Sequence, residues 1–509
     1  MDWIKQHKTA LVLGGVFLIR LLPVLAVHYT LDSGFVDTGH KDPLFYLGGA
    51  RAIISTGTNP FNFCPPFYFC FVTAALWLSG GSPIVAVAAN AFVGWLVIVE
   101  IYLLGKLLFD KRTALTAALI AGLYPNLIFF GTVLFPETLA MFFVLAAFIM
   151  IARFFSSSRL RFLVMAGVLW AFASQTRGGL HYFSVFALAA LACGCFSREW
   201  QRWVRAAAAF IIPLYVTFFL ITFGTASFHE SGNINSISGL GSVLHGLNRI
   251  SCPNTDDGDI GGNLFYDVNA CGDMWPAGSQ IYSEDLIKSG TVAVLLATVR
   301  FVAQEPWTHL KQALWKLSSF WTPSQYSISF FKHKFFYKSL ALTICGSVTI
   351  GFVYVLVLCG GIIGLSLSKD PLRATVLFFV LFYCLLIMAT VGNSKLRLLL
   401  MPFFILYCSY ALTQFRSKLV SLKKLVKHTI AMTLLVFFLL NSIYRYNEVS
   451  VTPQEAFVRK VERCVSLHLY KTALYVINKD NMWQWLTEKQ RFRLQTALKI
   501  AKKKLSPGT

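Results

Sequence analysis

The side chains that could take part in a reaction are few, because only 13% of the 509 residues are charged. The densest polar run, residues 37–66, holds Asp37, Lys41, Asp42 and Arg51 just after the first apolar segment. A carboxylate in such a loop can act as a general base and accept the proton of an attacking hydroxyl group. Asp42 and Asp37 are therefore the candidate bases, and the choice between them stays open.

A second set of residues could bind a phosphate group. Arg177 follows the apolar run 162–176, and Lys395 and Arg397 stand in a short segment between two apolar runs. Fixed cations, above all the planar guanidinium of arginine, bind phosphate oxygens through paired hydrogen bonds. These three residues and Lys41 are the predicted phosphate ligands, with snorkelling to lipid headgroups as the alternative role of Arg177.

Glu137 is a third catalytic candidate. It follows Pro136 at the start of an apolar segment, where the helix dipole by itself favours an acidic side chain, but an ionisable group at the edge of a membrane span is also a candidate functional group. Asp42 has a comparable alternative role, because an acid before Pro43 can cap a helix. The alternative for Asp37 is that it only solvates its loop.

Membrane-spanning helices must position these residues. Hydrophobic residues make up 56% and aromatic residues 15% of the chain, and the mean hydropathy is +0.62. Apolar runs of about 20 residues have the length that crosses a bilayer, and continuous apolar runs are typical of helices, not barrel strands. We predict an all-α polytopic membrane protein of about 11–12 spans. The predicted spans lie near 9–28, 83–109, 113–131, 136–153, 162–176, 179–196, 207–224, 342–366, 373–391, 397–414 and 429–445.

The basic residues predict the topology. There are 45 basic and 23 acidic residues, a net charge of +22, and Lys and Arg collect in cytoplasmic loops. This placement explains the charge without nucleic acid as a partner, and a basic surface also suits anionic membrane lipids. Residues 65–81 cannot be a full crossing at this parity, so we predict a re-entrant or surface helix there. The basic segments placed inside are 110–112, 156–161, 197–205 and 415–428.

The long outer region also holds residues that could form a disulfide or bind a cation. Cys252 and Cys271 lie in the long outer region and could form a disulfide in an oxidising compartment. No His, Cys, Asp or Glu cluster has metal-ligand spacing, so we expect no metal or other cofactor, although Asp256, Asp257 and Asp259 could hold a loop cation.

The topology also predicts how the chain is divided into segments. They are a transmembrane module 1–224 with its first outer loop 29–82, an outer region 225–340, C-terminal helices 341–445, and an amphipathic outer tail 446–509.

Several short motifs resemble a known enzyme family. The run DPLFYLGGARAIISTGTNPF, followed by PPFY, is similar to the first outer loop of the GT-C glycosyltransferases, in the branch of the protein O-mannosyltransferases and lipid A aminoarabinose transferases. Similarity continues in YPNLIFFGTVLFPETLA around Glu137, LWAFASQTRGGLHYF around Arg177 and NSKLRLLLMPFFIL around Arg397. The sequence departs from the family pattern where Pro43 replaces a second acid and Gly178 replaces a proline.

The resemblance implies a GT-C bundle with juxtamembrane helices in the first outer loop. It implies transfer of a hexose or pentose, with inversion, from a polyprenyl-phosphate donor to a lipid, glycan or protein acceptor. Asp42 would be the base, and the three distant cations would bind the leaving phosphate. The resemblance also makes Tyr46, Arg51 and His181 substrate-binding candidates, while a structural role is the alternative for His181.

The sequence also predicts where the protein is located and leaves two other functions open. The outer region 225–340 holds no usable N-x-S/T sequence, which favours a bacterial plasma membrane with the active site facing the periplasm. An oligosaccharide ligase or polymerase is one alternative, and it would depend on a later outer loop instead of Asp42. A lipid-linked sugar flippase is the other, but internal repeats typical of transporters are not evident in the sequence.

Overall fold

The computed structural model describes residues 2–30, 41–59, 65–195, 200–225, 340–389, 394–417 and 487–505, with single helical residues between 296 and 321 and between 458 and 465. Within these ranges the regular structure is helical and contains no strand, which confirms the predicted all-α class. Two 3₁₀ turns, Leu180–Tyr182 and Ser394–Leu399, join helices. The helices are α1 Asp2–Thr30, α2 Lys41–Thr56, α3 Pro66–Leu78, α4 Pro83–Leu108, α5 Lys111–Leu123, α6 Pro125–Thr132, α7 Pro136–Ser157, α8 Arg161–Thr176, α9 Phe183–Cys195, α10 Trp200–Thr225, α11 Leu340–Leu367, α12 Arg373–Ala389, α13 Met401–Ser417 and α14 Glu488–Leu505.

Four of these helices are long and apolar enough to cross a membrane, in the part of the chain that the structure describes. They are α4, α7, α10 and residues Val348–Leu367 of α11. Helices α5 and α6 meet the same criterion as a pair bent by 59°. The protein is therefore an integral membrane protein with several spans, as the hydropathy predicts.

Proline residues determine where several helices start. Pro66, Pro83, Pro125 and Pro136 each occupy the first position of a helix, where the missing N–H has no intrahelical acceptor to lose. Helix α3 thus forms inside the predicted 65–81 segment. Pro125 has a larger effect, because it breaks the segment predicted as one span over 113–131 into α5 and α6.

Glycines bring two helices of the bundle unusually close together. A Cβ atom at Gly364 of α11 would lie 1.9 Å from the carbonyl oxygen of Tyr407 in α13, and one at Gly360 would lie 2.4 Å from Cys408 Sγ. Two glycines four residues apart form one face of a helix, and they let backbones approach where lipid gives no hydrophobic drive to associate. Helices α8 and α10 use Gly167 in the same way, 2.3 Å from the Phe210 oxygen.

An aromatic cluster fills the centre of the bundle. The rings of Phe148 on α7 and Phe403 on α13 have centroids 4.5 Å apart, and Trp170 on α8 lies 4.7 Å from Phe183 on α9. Phe379 on α12 is 5.0 Å from Phe183. Such tilted and edge-on contacts add to apolar burial, so five helices share one core.

One end of the bundle joins helices that the charge pattern places on the same side. The Thr113 and Thr413 hydroxyl groups are 2.9 Å apart, and the Phe109 and Tyr410 rings stack at 4.4 Å. Thr113 and Thr413 adjoin the basic segments 110–112 and 415–428. Residues next to two segments predicted to share a membrane side therefore meet at one end of the bundle.

The chain contains two compact units. The first comprises Met1–Gly239, Phe352–Cys384 and Leu396–Phe438, and it holds every site contact described below. The second comprises Leu240–Gly351, Leu385–Lys395 and Leu439–Thr509, and it includes α14.

Candidate functional site

A buried ion pair joins α7 to the end of α8. Arg177 Nη1 donates a hydrogen bond to Glu137 Oε1. The Glu137 side chain is 1% exposed and that of Arg177 is 15% exposed. Among the described residues, the second carboxylate oxygen, Glu137 Oε2, has no hydrogen-bond partner. The pair therefore presents one unsatisfied acceptor beside a cation that solvent can still reach.

The ion pair keeps Arg177 charged. Burial disfavours the charged guanidinium, but the adjacent Glu137 carboxylate outweighs that effect, and the pKa of Arg177 is raised. The Glu137 carboxylate thus stabilises the positive charge of Arg177.

Tyrosines from three further helices lie close enough to this pair to act on its charges. Tyr46 of α2 and Tyr383 of α12 interact electrostatically with Arg177, and Tyr68 of α3 interacts with Glu137. The rings of Tyr46 and Tyr68 meet edge to face with centroids 4.8 Å apart. Tyr68 and Tyr383 are almost completely buried, and Tyr46 is 8% exposed. The site therefore brings together α2, α3, α7, α8 and α12.

The backbone that leads into Glu137 is held by side chains of earlier helices. Asn90 of α4 donates from Nδ2 to the carbonyl oxygens of Phe130, Gly131 and Val133, at 3.0, 3.2 and 2.9 Å. These carbonyls lie at the end of α6, where no following turn of the helix supplies N–H groups to bond them. Asn90 is completely buried, so it fixes the segment from which α7 and Glu137 start.

Arg20 and Thr138 support the same segment. Arg20 of α1 donates from Nη1 to the Leu127 oxygen at 2.9 Å, and Thr138 donates to the Phe130 oxygen at 2.8 Å. A Cβ atom at Gly94 or Gly131 would lie 2.8 or 3.0 Å from Arg20 Nη1. The partner of this arginine, which lies in the middle of the predicted span 9–28, is thus a backbone carbonyl.

The end of α8 explains how Arg177 reaches Glu137. Helix α8 stops at Thr176, and Arg177 has extended backbone angles, φ −138° and ψ 114°. Gly179 then adopts φ 90°, a conformation that glycine accepts and other residues rarely do. The position of a Cβ at Gly178 lies 3.5 Å from Pro65, so the TRGG and PPFY motifs adjoin.

The first outer-loop motif forms α2. Helix α2 begins at Lys41, which places Asp42 in its first turn, and the described backbone puts Tyr46 one turn later on the same face. The side chains of Lys41 and Asp42 lie outside the described set, and Asp37 lies outside the described residues altogether. Arg51 is exposed, and no contact with the ion pair is seen for it.

The two cations near residue 396 are placed differently. Both stand in the 3₁₀ turn Ser394–Leu399, where Lys395 is half-buried and Arg397 is 1% exposed. The Arg397 guanidinium lies 4.1 Å from the centroid of the Tyr354 ring, a cation–π contact. Tyr124, at the α5–α6 break, also interacts with it. In this arrangement Arg397 joins aromatic residues of other segments.

The other predicted residues lie either just after Arg177 or outside the described residues. His181 lies in the 3₁₀ turn after Arg177, with its ring 3.9 Å from that of Tyr182 and 5.5 Å from that of Phe218. Cys252, Cys271 and the acids Asp256, Asp257 and Asp259 lie outside the described residues. Within the described ranges, no group of three His, Cys, Asp or Glu side chains could hold a metal ion.

Sequence reasoning missed Asn90, Tyr68 and Tyr383 as parts of this site. Tyr68 stands out in the sequence only as part of the PPFY motif, and Tyr383 sits in an apolar run where an aromatic residue carries no signal. Asn90 did leave a signal, because it is a lone amide in the apolar run 83–109, and polar side chains inside spans bond across helices.

The segment that holds the ion pair is similar to a known protein family. Residues 64–226 match the family described as dolichyl-phosphate-mannose-protein mannosyltransferase. That segment contains Tyr68, Asn90, Glu137 and Arg177. No curated protein matches the chain in sequence.

Solved structures of low identity are also similar. The archaeal oligosaccharyltransferase AglB from Archaeoglobus fulgidus, in complex with an inhibitory peptide and a dolichol-phosphate, has 13% identity and a TM-score of 0.45 over 97% of this chain and 60% of its own. ArnT from Cupriavidus metallidurans, bound to undecaprenyl phosphate, has 15% identity and a TM-score of 0.36 over 80% and 78%. The chain thus spans about 60% of the length of AglB. The family match confirms the resemblance to GT-C glycosyltransferases that the motifs predict, over residues 64–226.

Proposed function

We propose that this protein is a membrane glycosyltransferase that moves a sugar from a polyprenyl-phosphate donor to a lipid, glycan or protein acceptor. The transfer takes place at the outer face of the membrane and inverts the anomeric centre. The family that matches residues 64–226 is described by a dolichyl-phosphate-linked mannose, which supports a lipid-phosphate donor. The parity of the basic loops supports the outer face.

The observation that carries the proposal is the buried Glu137–Arg177 pair inside the matched segment. A purely structural ion pair would have both carboxylate oxygens bonded, since an unsatisfied buried acceptor is unfavourable. Here no described residue bonds Glu137 Oε2, while Arg177 retains exposed surface. The pair is therefore arranged to receive polar groups from a substrate.

Arg177 is proposed to bind the phosphate that leaves. As the bond between the anomeric carbon and the phosphate oxygen breaks, the electron pair stays on that oxygen and the phosphate gains negative charge. A fixed cation in a low-dielectric site stabilises such charge more strongly than water does. Glu137 positions Arg177 by holding Nη1, and the rest of the guanidinium remains available to phosphate oxygens.

Asp42 is proposed as the general base. The acceptor hydroxyl oxygen attacks the anomeric carbon from the side opposite the phosphate, and its proton passes to the Asp42 carboxylate. Helix α2 supports this role, because Tyr46, one turn after Asp42, interacts with Arg177. Asp37 is the second candidate base, with Lys395 and Arg397 as further phosphate ligands and Arg51 and His181 as substrate contacts.

Mass spectrometry of envelope glycolipids and glycoproteins tests the proposal. Cells that express the wild-type chain should carry a molecule heavier by one sugar residue than cells without the gene. Cells with the Glu137→Gln chain should lack that product. Glu100→Gln is the matched control, because Glu100 is also a buried acid, 7% exposed on α4, but lies ten residues beyond Asn90. Identical spectra with and without the wild-type chain would disprove the proposal.

A further inference from the structure

Helix α14, near the end of the chain, has one face packed and one face exposed. Leu494 is completely buried and Ala497 is 4% exposed. Arg493 forms a two-point ion pair with Glu462, donating from Nε and Nη2 to the two carboxylate oxygens. Val461, next to Glu462, is also completely buried. These contacts fix the rotation of α14 about its axis.

The opposite face of α14 combines an aromatic ring with positive charge. Phe492 is 70% exposed and Ile500 is 44% exposed. Lys499 follows Phe492 by seven residues, two helical turns on the same face, and both Lys499 and Lys502 are exposed. Within Glu488–Leu505 there are seven basic residues and one acidic residue. An exposed phenylalanine in a basic helix face calls for a partner that is both apolar and anionic.

We infer that the exposed face of α14 binds the anionic phospholipid surface of the membrane in which the chain lies. A helix with a basic polar face and an aromatic anchor lies in the interface, its ring among the acyl chains and its lysines at the headgroups. Helix α14 does not meet the criterion for a span. It is linked covalently to membrane spans, so its concentration near a bilayer is high.

Charge complementarity favours a lipid surface over a protein or a second copy of the chain. Each Lys near an anionic leaflet adds attraction that falls off within a Debye length. A second copy would bring the same basic face and therefore repulsion, because this chain carries +22 overall. This inference does not depend on the proposed enzymatic function.

Photocrosslinking in the full-length chain tests the inference. Phe492 is replaced by p-benzoylphenylalanine, and the protein is placed in nanodiscs of phosphatidylcholine, alone or with phosphatidylglycerol. On irradiation, the protein should gain the mass of one phospholipid, with more product in the phosphatidylglycerol discs. The same probe at Phe223, which is 66% exposed on α10, is the positive control and should crosslink in both discs.

Charge variants separate attraction from chance contact. Lys499→Gln with Lys502→Gln should lower the Phe492 lipid adduct in phosphatidylglycerol discs roughly fivefold, and added salt should have the same effect. Arg159→Gln with Arg161→Gln removes the same charge from an exposed inner segment and should leave the adduct unchanged. The inference is overturned by crosslinks only between protein chains, by no lipid adduct at Phe492, or by equal adducts in both discs.

Discussion

Asn90 holds the Val133 carbonyl oxygen at 2.9 Å from its side-chain amide, so that α4 fixes the backbone three residues before Pro136. The same amide also reaches Phe130 and Gly131. The two N–H groups of one amide are thus shared among three carbonyls at the end of α6, and the position of Glu137 depends on them.

Replacing Asn90 should destabilise the protein. Asn90→Ala removes the side-chain amide that bonds the Phe130, Gly131 and Val133 carbonyls in the buried segment before α7, and losing a hydrogen bond to a buried polar group costs about 1–3 kcal/mol. Thermal unfolding in detergent should show a clearly lower midpoint than for the wild type. Ser157→Ala is the control, because Ser157 is exposed and, among the described residues, bonds to the Arg153 oxygen in its own helix, so the midpoint of this variant should not change. An unchanged midpoint for Asn90→Ala would contradict the role given to Asn90.

Glu137 and Arg177 should be strongly coupled. Removing one partner of a buried pair leaves an uncompensated charge and typically costs about 3–5 kcal/mol. Glu137→Gln and Arg177→Gln should each destabilise, and the double variant should be more stable than the sum of the two effects predicts. Unfolding free energies of the four proteins provide the measurement. Strict additivity of the two substitutions would show that the contact contributes nothing.

The double variant Glu137→Gln with Arg177→Gln should recover stability without recovering activity. The double variant lacks the cation for the leaving phosphate, so its sugar product should be absent even if its unfolding midpoint approaches the wild-type value. Product is measured by mass spectrometry of the envelope fraction. A stable and active double variant would assign the pair to structure alone and remove the basis of the proposed function.

Asp42 should be required for turnover. Asp42→Asn removes the proposed base, and general-base catalysis contributes about 10²–10⁴-fold in rate. Sugar transfer should fall by that order, measured by the rate of product accumulation after induction, while the unfolding midpoint stays close to that of the wild type. Asp37→Asn is the comparison, and a larger loss there would exchange the roles of the two acids.

The α11–α13 crossing should not tolerate an added methyl group. A Cβ at Gly364 would meet the Tyr407 oxygen at 1.9 Å, and overpacking of this kind typically costs about 1–3 kcal/mol. Gly364→Ala should therefore lower the unfolding midpoint. Gly14→Ala provides the control, because nothing lies within 4 Å of its Cβ position. Equal midpoints for the two variants would show that the close approach is not needed.

The sequence predicted the helical class and the apolar segments that become α3, α4 and α7, because hydropathy acts locally. It did not predict the break at Pro125, which divides the single span expected over 113–131. It also named Glu137 and Arg177, since charges are rare in an apolar chain and are easily noticed. It could not pair them, because a contact across 40 residues depends on how α7 and α8 pack. The tyrosines of the site were hidden for a related reason: the chain has 19 tyrosines, and only packing shows which ones face the pair.

The break at Pro125 also has a consequence for biosynthesis. Arg20 bonds the Leu127 carbonyl and Asn90 bonds those of Phe130, Gly131 and Val133, and both donors precede α6 in the chain. A ribosome therefore delivers α1 and α4 to the membrane before it releases α6, so these two donors are already made when the broken segment enters the bilayer. A carbonyl without a donor in lipid is unfavourable by several kcal/mol. Their place in the chain thus lets Arg20 and Asn90 bond this segment as soon as it is synthesised.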